Sequence, residues 1–518
     1  MRVELAASLP SLLLGGGGPM SALAMPGTAA RTHHALMAAM VVASYTQAVM
    51  VSLPNAALLY IQGRLSMADD EIGWIFTSYI TASVITMTMA GWLGGRFGRK
   101  TIYLSALALF ALGLMLAIGA TTTMQFVAAR IVQGLASGIL GPLSIAILLD
   151  LVPAEARPRI NLVVGFTLML GILSGPGIGG WLSEYYGWAS MFYVGLPVAG
   201  CIFLVIATAL PEKRAAQHVP FDFFGLVTFL LGIVGLQMLL DRGERLDWFH
   251  SAEIWAEGGA AALGFSLYLV HVLTRRTHFL AKALFRDRNF VLASILYFAF
   301  GFVLLPTIAL TSPMLDELLH YPADTTGYMS VPRSLALLAA LILAARAPAR
   351  IDGRLLVAAG VALVIYANWR MLGYSPQMDW RPVVVAGILQ GTGLGIMMPS
   401  LTKAAFSTLA PAFRPEGTAL FNLARLYGST IGIAVVQIYF YDNTQAMHLA
   451  LAEHITAYGP VAAMAGSAAQ PGLAALNAMI TDQAAFIGII GQFKVMMVVM
   501  LLASPLVLFL RKPRAAHP

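Results

Sequence analysis

Gly171-Ile-Leu-Ser-Gly-Pro-Gly-Ile-Gly-Gly-Trp181 lies inside a long apolar run, and its spacing decides how the rest of the chain is read. Gly171, Gly175 and Gly179 recur every four residues, so on a helix they share one face. A face without side chains lets a neighbouring helix approach backbone to backbone, the packing that small residues allow in a bilayer. Pro176 lacks an N–H and bends the helix beside that face. Gly171, Gly175, Pro176, Gly179 and Gly180 therefore read as a hinge between two moving halves or as plain close packing. Gly175 to Gly180 also satisfies G-x-G-x-x-G. A dinucleotide fingerprint needs a strand before it and a soluble helix after it, and an apolar span supplies neither.

The chain has 518 residues, 59% of them hydrophobic and 11% charged, where soluble proteins carry about 25% charged residues. Such a chain is an integral membrane protein. Its apolar runs are helix-length, which makes it all-α rather than a β-barrel. Spans are read at 36–60, 72–94, 102–120, 124–149, 161–183, 188–210, 223–240, 252–273, 289–312, 327–347, 354–373, 382–408, 417–440 and 486–510, fourteen in all. The net charge of +7 would suit nucleic acid, but its distribution is topological. Alternate connections hold Arg96, Arg99 and Lys100; Arg157 and Arg159; Arg275, Arg276, Lys282, Arg286 and Arg288; and Arg346, Arg350 and Arg354. The opposite connections hold only Arg64, Arg242, Arg245, Arg370 and Arg381, beside the acidic Asp69-Asp70-Glu71 and Asp316-Glu317. The basic side is cytoplasmic by the positive-inside rule, and both termini lie there. Nucleic acid is not a partner on this reading. Cys201 sits in an apolar span and is the one cysteine, so no internal disulfide can form. Leu9 to Leu14 is too short for the core of a signal peptide, so residues 1–35 read as a flexible cytoplasmic tail.

An internal repeat organises the spans. A shift of 257 residues places Gln133, Gly134, Gly138, Ile139 and Pro142 on Gln390, Gly391, Gly395, Ile396 and Pro399. The same shift places Gly171 and Gly175 on Gly428 and Gly432. Two helices agreeing on one offset give two copies of equal orientation, a parallel repeat. Residues 36–210 form a six-helix half and 289–510 a second. Residues 211–288 add two central helices and a linker, 441–485 form an external loop, and 511–518 a cytoplasmic tail. The repetition turns the Gly171 run toward the hinge reading, with Gly428 and Gly432 as its counterpart on the facing half. The charges do not repeat: Arg130 falls on Gly387, and Arg425 falls on Leu168.

Gly91-Trp-Leu-Gly-Gly-Arg-Phe-Gly-Arg-Lys100 joins spans two and three. Its glycines, Gly91, Gly95 and Gly98 among them, suggest a tight turn that holds Arg96 and Arg99, beside Lys100, against neighbouring helix ends, where cations are favoured. Arg130 and Gln133 lie two turns into the fourth span, Arg333 in the tenth, and Asn422 and Arg425 in the thirteenth. An intramembrane charge costs several kcal/mol and is a functional candidate, with snorkelling to the surface as the alternative.

These motifs resemble a known family. Gly171 to Gly180 is similar to the antiporter motif of drug-exporting major facilitator proteins. Gly91 to Lys100 looks like that family's cytoplasmic signature loop, and Arg130-x-x-Gln133-Gly134 resembles its fourth-helix motif. Fourteen spans resemble the drug:proton antiporter subfamily of EmrB/QacA type. Met238-Leu-Leu-Asp-Arg-Gly-Glu-Arg-Leu-Asp-Trp-Phe249, Leu284-Phe-Arg-Asp-Arg-Asn-Phe290 and Asn422-Leu-Ala-Arg425 resemble its EmrB branch. The resemblance spans residues 36 to 510. It implies a major facilitator fold in a bacterial inner membrane and export of lipophilic small molecules by alternating access. It further implies work with a periplasmic adaptor, for which segment 441–485 suits the contact, and an outer-membrane channel.

Two departures follow. Gly95 stands where the signature loop normally has aspartate, which weakens a charge latch. The family's first helix carries an aspartate and an asparagine where this chain has Tyr45 and Met50, with Gln47 at the threonine position. Tyr45, Gln47, Met50 and Gln390 are the substrate-cavity candidates. The spans expected to line the cavity hold no mid-membrane Asp, Glu or His. Asp150, Asp241 and His271 lie elsewhere, so proton coupling has either moved to one of them or changed. Without an acid, and with Arg130 near the cavity, the field favours neutral or weakly acidic substrates. The alternative is a transporter-like protein that has lost coupled transport and acts as sensor or scaffold, which a repeated hinge argues against. No Ser/His/Asp set, paired carboxylates, metal-ligand spacing or cofactor motif supports an enzyme.

Overall fold

The computed structural model describes residues 27–68, 71–153, 156–212, 222–243, 245–274, 282–347, 351–410, 413–453 and 471–511. Fourteen long helices run through them: α1 Gly27–Ser52, α2 Trp74–Phe97, α3 Arg99–Ile118, α4 Thr123–Leu151, α5 Arg157–Tyr186, α6 Ser190–Ala209 and α7 Phe223–Arg242, then α8 Ala252–Thr274, α9 Arg288–Pro313, α10 Ala323–Ala345, α11 Gly353–Met371, α12 Trp380–Ser407, α13 Arg414–Glu453 and α14 Pro471–Ala503. Thirteen spans are long and apolar enough to cross a membrane. The exception is α2, which carries hydroxyls at Thr77, Ser78, Thr81, Ser83, Thr86 and Thr88. Its 24 residues still match the length of a crossing.

The sequence repeat reappears as a repeat of packing. In the first half α2 and α3 flank α4, α5 lies on α1, and α6 lies on α3. In the second half α10 and α11 flank α12, α13 lies on α9, and α14 lies on α11. The halves meet where α5 crosses α10 and α2 crosses α13, and α7 and α8 pair with each other beside α2 and α13. One large buried cluster runs through both halves.

Prolines tie helices together by what they lack. Pro54 follows α1 in a short 3-10 turn, Leu53–Ala57. It has no N–H for the Met50 carbonyl four residues back, and the Arg130 Nη1 donates to that carbonyl at 3.1 Å. Pro176 likewise leaves the Ile172 carbonyl open, and the Ser52 hydroxyl donates to it at 2.5 Å.

The ends differ from the sequence expectation in two places. Residues 27–35 belong to α1 rather than to a tail, and the ring of His33 contacts the Leu151 carbonyl at the end of α4 (2.9 Å). Residues 1–26 lie outside the described residues. Most of segment 441–485 is helix. α13 has 40 residues and α14 has 33, lengths of about 60 and 50 Å at 1.5 Å per residue. A hydrocarbon core is only about 30 Å thick, so both helices run on beyond it. They stay paired there: Asn443 donates to the Ile487 carbonyl at 3.4 Å. Residues 454–470 lie outside the described residues.

Candidate functional site

The glycine stripe of α5 faces its own half. A Cβ on Gly171 would meet Ala48 and the Tyr45 carbonyl, one on Gly175 would meet Ser52 and Leu53, and one on Gly179 would meet Leu53. All of these belong to α1 or the turn after it. Gly428 and Gly432 do the same against Phe298 and Phe302 of α9. The two stripes are thus equivalent but not facing, because α5 rolls its glycine side onto α1. The crossing between halves uses the adjacent face of α5. There a Cβ on Gly327 would come within 3.1 Å of Gly177 Cα and the Pro176 carbonyl. Ser334 of α10 donates to the Leu173 carbonyl of α5 at 3.1 Å. Gly180 is buried on α5.

Arg130 is fully enclosed. Its Nε donates to the Ile75 carbonyl at 3.0 Å, and Nη1 donates to the Met50 carbonyl and to Gln133 Oε1 (2.8 Å). Its guanidinium lies 4.3 Å from the centre of the Tyr79 ring, a cation–π contact. Gln133 donates in turn to the Gly113 carbonyl of α3 at 3.0 Å. The charge expected to colour a cavity is instead bonded to the ends of α1 and α2, so it joins three helices, and Gln133 extends the link to α3. Neither snorkelling nor substrate contact describes it. The signal available in the sequence was Pro54, which strips a donor from the Met50 carbonyl.

The second half answers the same packing differently. Gly387 and Gly391 replace bulk on α12, and the Arg333 stem lies against Gly387, its Cβ 3.3 Å from where a glycine Cβ would stand. Arg333 donates to the Leu304 carbonyl at 3.3 Å, and its Nε has no partner. Gln390 is buried, donating to Thr307 at 3.1 Å and to Asn368 at 3.3 Å. Met50 is buried too, packed toward Gly195 of α6. Gln390 and Met50 are therefore core residues of their halves rather than cavity walls. Tyr45 and Gln47 are half-buried: the Tyr45 hydroxyl lies 2.8 Å from Ser174 Oγ, and Gln47 donates to the Ser137 carbonyl at 2.8 Å.

Arg425 is the least satisfied of the three intramembrane arginines. It is half-buried, its Nε and Nη1 are buried without a partner, and it lies beside the hydroxyl of Tyr297 on α9. Tyr297 stacks on Phe421, with ring centres 4.1 Å apart. Asn422 turns back to the Thr418 carbonyl at 3.0 Å.

In the signature loop, Gly98 alone separates α2 from α3 and has φ +90, a conformation that disfavours any side chain. Arg99 reaches the end of α4, bonding Asp150 at 2.5 Å and the Ala146 carbonyl at 3.4 Å. Arg96 instead lies over the rings of Trp92 and Phe97, at 5.5 and 5.8 Å. Gly91 and Gly95 face open space, and Lys100 is half-buried at the start of α3. His271 pairs with Asp222 at 2.9 Å. Asp241 accepts from Gln237 at 2.8 Å, with the Thr77 hydroxyl also within reach. At the same end of the bundle as Asp241, and opposite to Arg99, the Tyr60 hydroxyl donates to Glu184 at 2.6 Å. That bond, burial and the charges of Glu184, Asp316 and Asp324 push its pKa up to about 12. Among the described residues, no cluster of His, Cys, Asp or Glu could hold a metal.

The chain is 27% identical over 430 residues to the multidrug export protein EmrB of Haemophilus influenzae, covering 82% of this chain and 84% of that one. It is 28% identical over 417 residues to the fatty acid resistance protein FarB of Neisseria gonorrhoeae, covering 80% and 82%. Among solved structures it is similar to the nucleoside transporter NupG, with a TM-score of 0.59 at 14% identity, over 90% of this chain and 99% of that one. It is also similar to the xylose transporter XylE from E. coli, with a TM-score of 0.58 at 10% identity, over 94% and 100%. The family description "Major Facilitator Superfamily" matches residues 35–433, and with that match over most of its length, the chain belongs to the Major Facilitator Superfamily.

Proposed function

We propose that this protein is a secondary-active exporter of lipophilic small molecules that works by alternating access. One observation carries the reading. Each half is tied internally by the same set of helix pairs, while the halves meet mainly at two equivalent crossings, α5 on α10 and α2 on α13. Two bodies that meet mainly at a pair of equivalent crossings can rock about them. The names of the EmrB and FarB relatives support export of drug-like and fatty-acid compounds. A sensor or scaffold has no use for such crossings and is not favoured.

The substrate preference is for neutral or weakly acidic compounds, and Arg425 supports it better than Arg130. Arg130 is already bonded on every side it can use except Nη2. Arg425 has unpartnered donors beside an aromatic wall, the chemistry that takes a carboxylate on an apolar tail. The protein is a multi-pass protein of a bacterial inner membrane with its termini in the cytoplasm, by the distribution of its basic residues. With Tyr60, Glu184 and Gly327 on the outside, the crossings close the outer end and the arrangement faces inward. The paired extensions of α13 and α14 then project outside, where they suit a periplasmic adaptor that leads to an outer-membrane channel.

Inside-out membrane vesicles test the function, with cationic, neutral and anionic lipophilic compounds, each with and without a pH gradient. Neutral and anionic compounds are expected to accumulate. Vesicles that concentrate ethidium-like cations and ignore weak acids would refute the substrate preference. A pull-down that recovers no adaptor through the α13–α14 extension would refute the partner.

A further inference from the structure

We infer that Asp241 is a proton-binding latch that holds the outer crossing between the halves closed when protonated and lets it open when ionised. The inference rests on the alternating-access reading.

Of the three ionisable groups that the sequence offered for proton chemistry, two have an ionisable side chain as partner. Asp150 is paired with Arg99, and His271 with Asp222. Asp241 stands apart: among the described residues, its carboxylate is hydrogen-bonded by neutral groups, the Gln237 amide and the Thr77 hydroxyl. The nearby cations are committed elsewhere. Arg242 is clamped by Glu253 and Glu257, and Arg245 reaches Glu71 at 3.2 Å while lying over the Trp74 ring. Glu257 of α8 adds negative charge. The groups that approach from α13 are uncharged, Gln437 and Tyr441, and α2 contributes Trp74 and Thr77.

The location gives that carboxylate leverage. Asp241 ends α7, where α7 meets α2 of the first half and α13 of the second. A cavity of about 250 Å³ opens beside it, lined by Arg245, Gln437, Tyr441 and Gln445 among others. Gln437 packs so closely on Gly73, just before α2, that a Cβ there would overlap it. The carboxylate therefore sits at a crossing that must separate for the outer end to open. Asp241 is half-buried, and holding an ionised carboxylate there among neutral partners costs free energy that its neutral form avoids. Closure and protonation then favour each other, and the coupling is reciprocal. The cavity gives room for water, hence for proton exchange, beside the group. The role also accounts for the inserted pair α7–α8, which lies outside the repeat.

The test reads distance, not transport. In a Cys201→Ser background, spin labels at Arg64→Cys and Gln377→Cys report the outer separation of the halves. With Asp241 present, raising the pH from roughly 5 to roughly 8 is expected to shift the closed-to-open ratio about tenfold toward open, a coupling of ordinary size. Asp241→Asn, which keeps the hydrogen bonds and cannot ionise, is expected to stay closed, with less than about a twofold shift. An Asp241→Asn protein that opens with pH like its parent overturns the latch, as does a parent that shows no shift. If the variant fails to fold, the parent alone decides: a carbodiimide that attacks protonated buried carboxyls should label Asp241 at acidic pH, and a protein unlabelled there overturns the proposal. A protein that shows the pH shift but moves no compound in vesicles would refute the exporter reading and leave the latch standing.

Discussion

The two halves share a backbone plan and differ in where they keep their charge. In the first half Arg130 reaches from α4 to α2 and α1 and finds two carbonyls, an amide and an aromatic face. In the second half that position is Gly387, and the guanidinium comes from the opposite helix of the pair, Arg333 on α10, with one carbonyl at 3.3 Å. Arg425 has no counterpart in the first half, where Leu168 stands. The difference teaches that a repeat conserves the space between helices more strictly than its contents. One half has used its cation as mortar, and the other keeps cations whose hydrogen bonds are unfinished. Unfinished bonds on a buried cation are a cost in the resting protein and a gain when an anion arrives.

Six variants, in four experiments, can break or sharpen this contrast. Arg130→Ala should be the most damaging, because it strands two buried carbonyls and Gln133. Each orphaned group costs about 1–3 kcal/mol, so a loss of about 3 kcal/mol or more is expected by thermal unfolding in detergent, against about 1 kcal/mol for Arg333→Ala. Equal losses would refute the contrast. Next come Gly175→Val and Gly432→Val. Each drives a branched side chain into a neighbouring helix backbone, at about 1–3 kcal/mol for overpacking. The two should agree within about 1 kcal/mol, because packing is the part that repeats. Arg425→Met comes third. Its effect should fall on transport rather than stability: uptake of anionic compounds drops about tenfold, the worth of one charge-assisted hydrogen bond, while neutral compounds and melting are unchanged. The smallest effect belongs to Arg99→Gln. The Arg99–Asp150 pair is 43% exposed on both sides, so about 0.5 kcal/mol or less is expected, and it should vanish at high salt.

Much of the fold was legible in the sequence, because length, apolarity and an offset of 257 residues are one-dimensional signals. The glycine stripes were legible as a shared face. Which neighbour meets that face was not, since periodicity fixes a direction around one helix and says nothing of what lies there. That is why Gly171 and Gly428 were expected to face each other and instead face α1 and α9. Arg130 was misjudged for a related reason. Its cost in a membrane depends on acceptors donated by other helices, and those acceptors are backbone carbonyls with no letter of their own. Pro54 and Pro176 were the visible traces, each marking a carbonyl four residues back that needed a donor. The reach of α13 was hidden because polar residues such as Asp442, Asn443 and Gln445 end a membrane span without ending a helix.

That continuous helix makes the second half a lever. Arg425 and Glu453 lie on the same rod, about 42 Å apart at 1.5 Å per residue. If the rod tilts by about 10° around the arginine, its far tip sweeps roughly 7 Å on this geometry, more than a full helical turn. An event at a single side chain deep in the bundle is thereby delivered, enlarged, to whatever holds the tip.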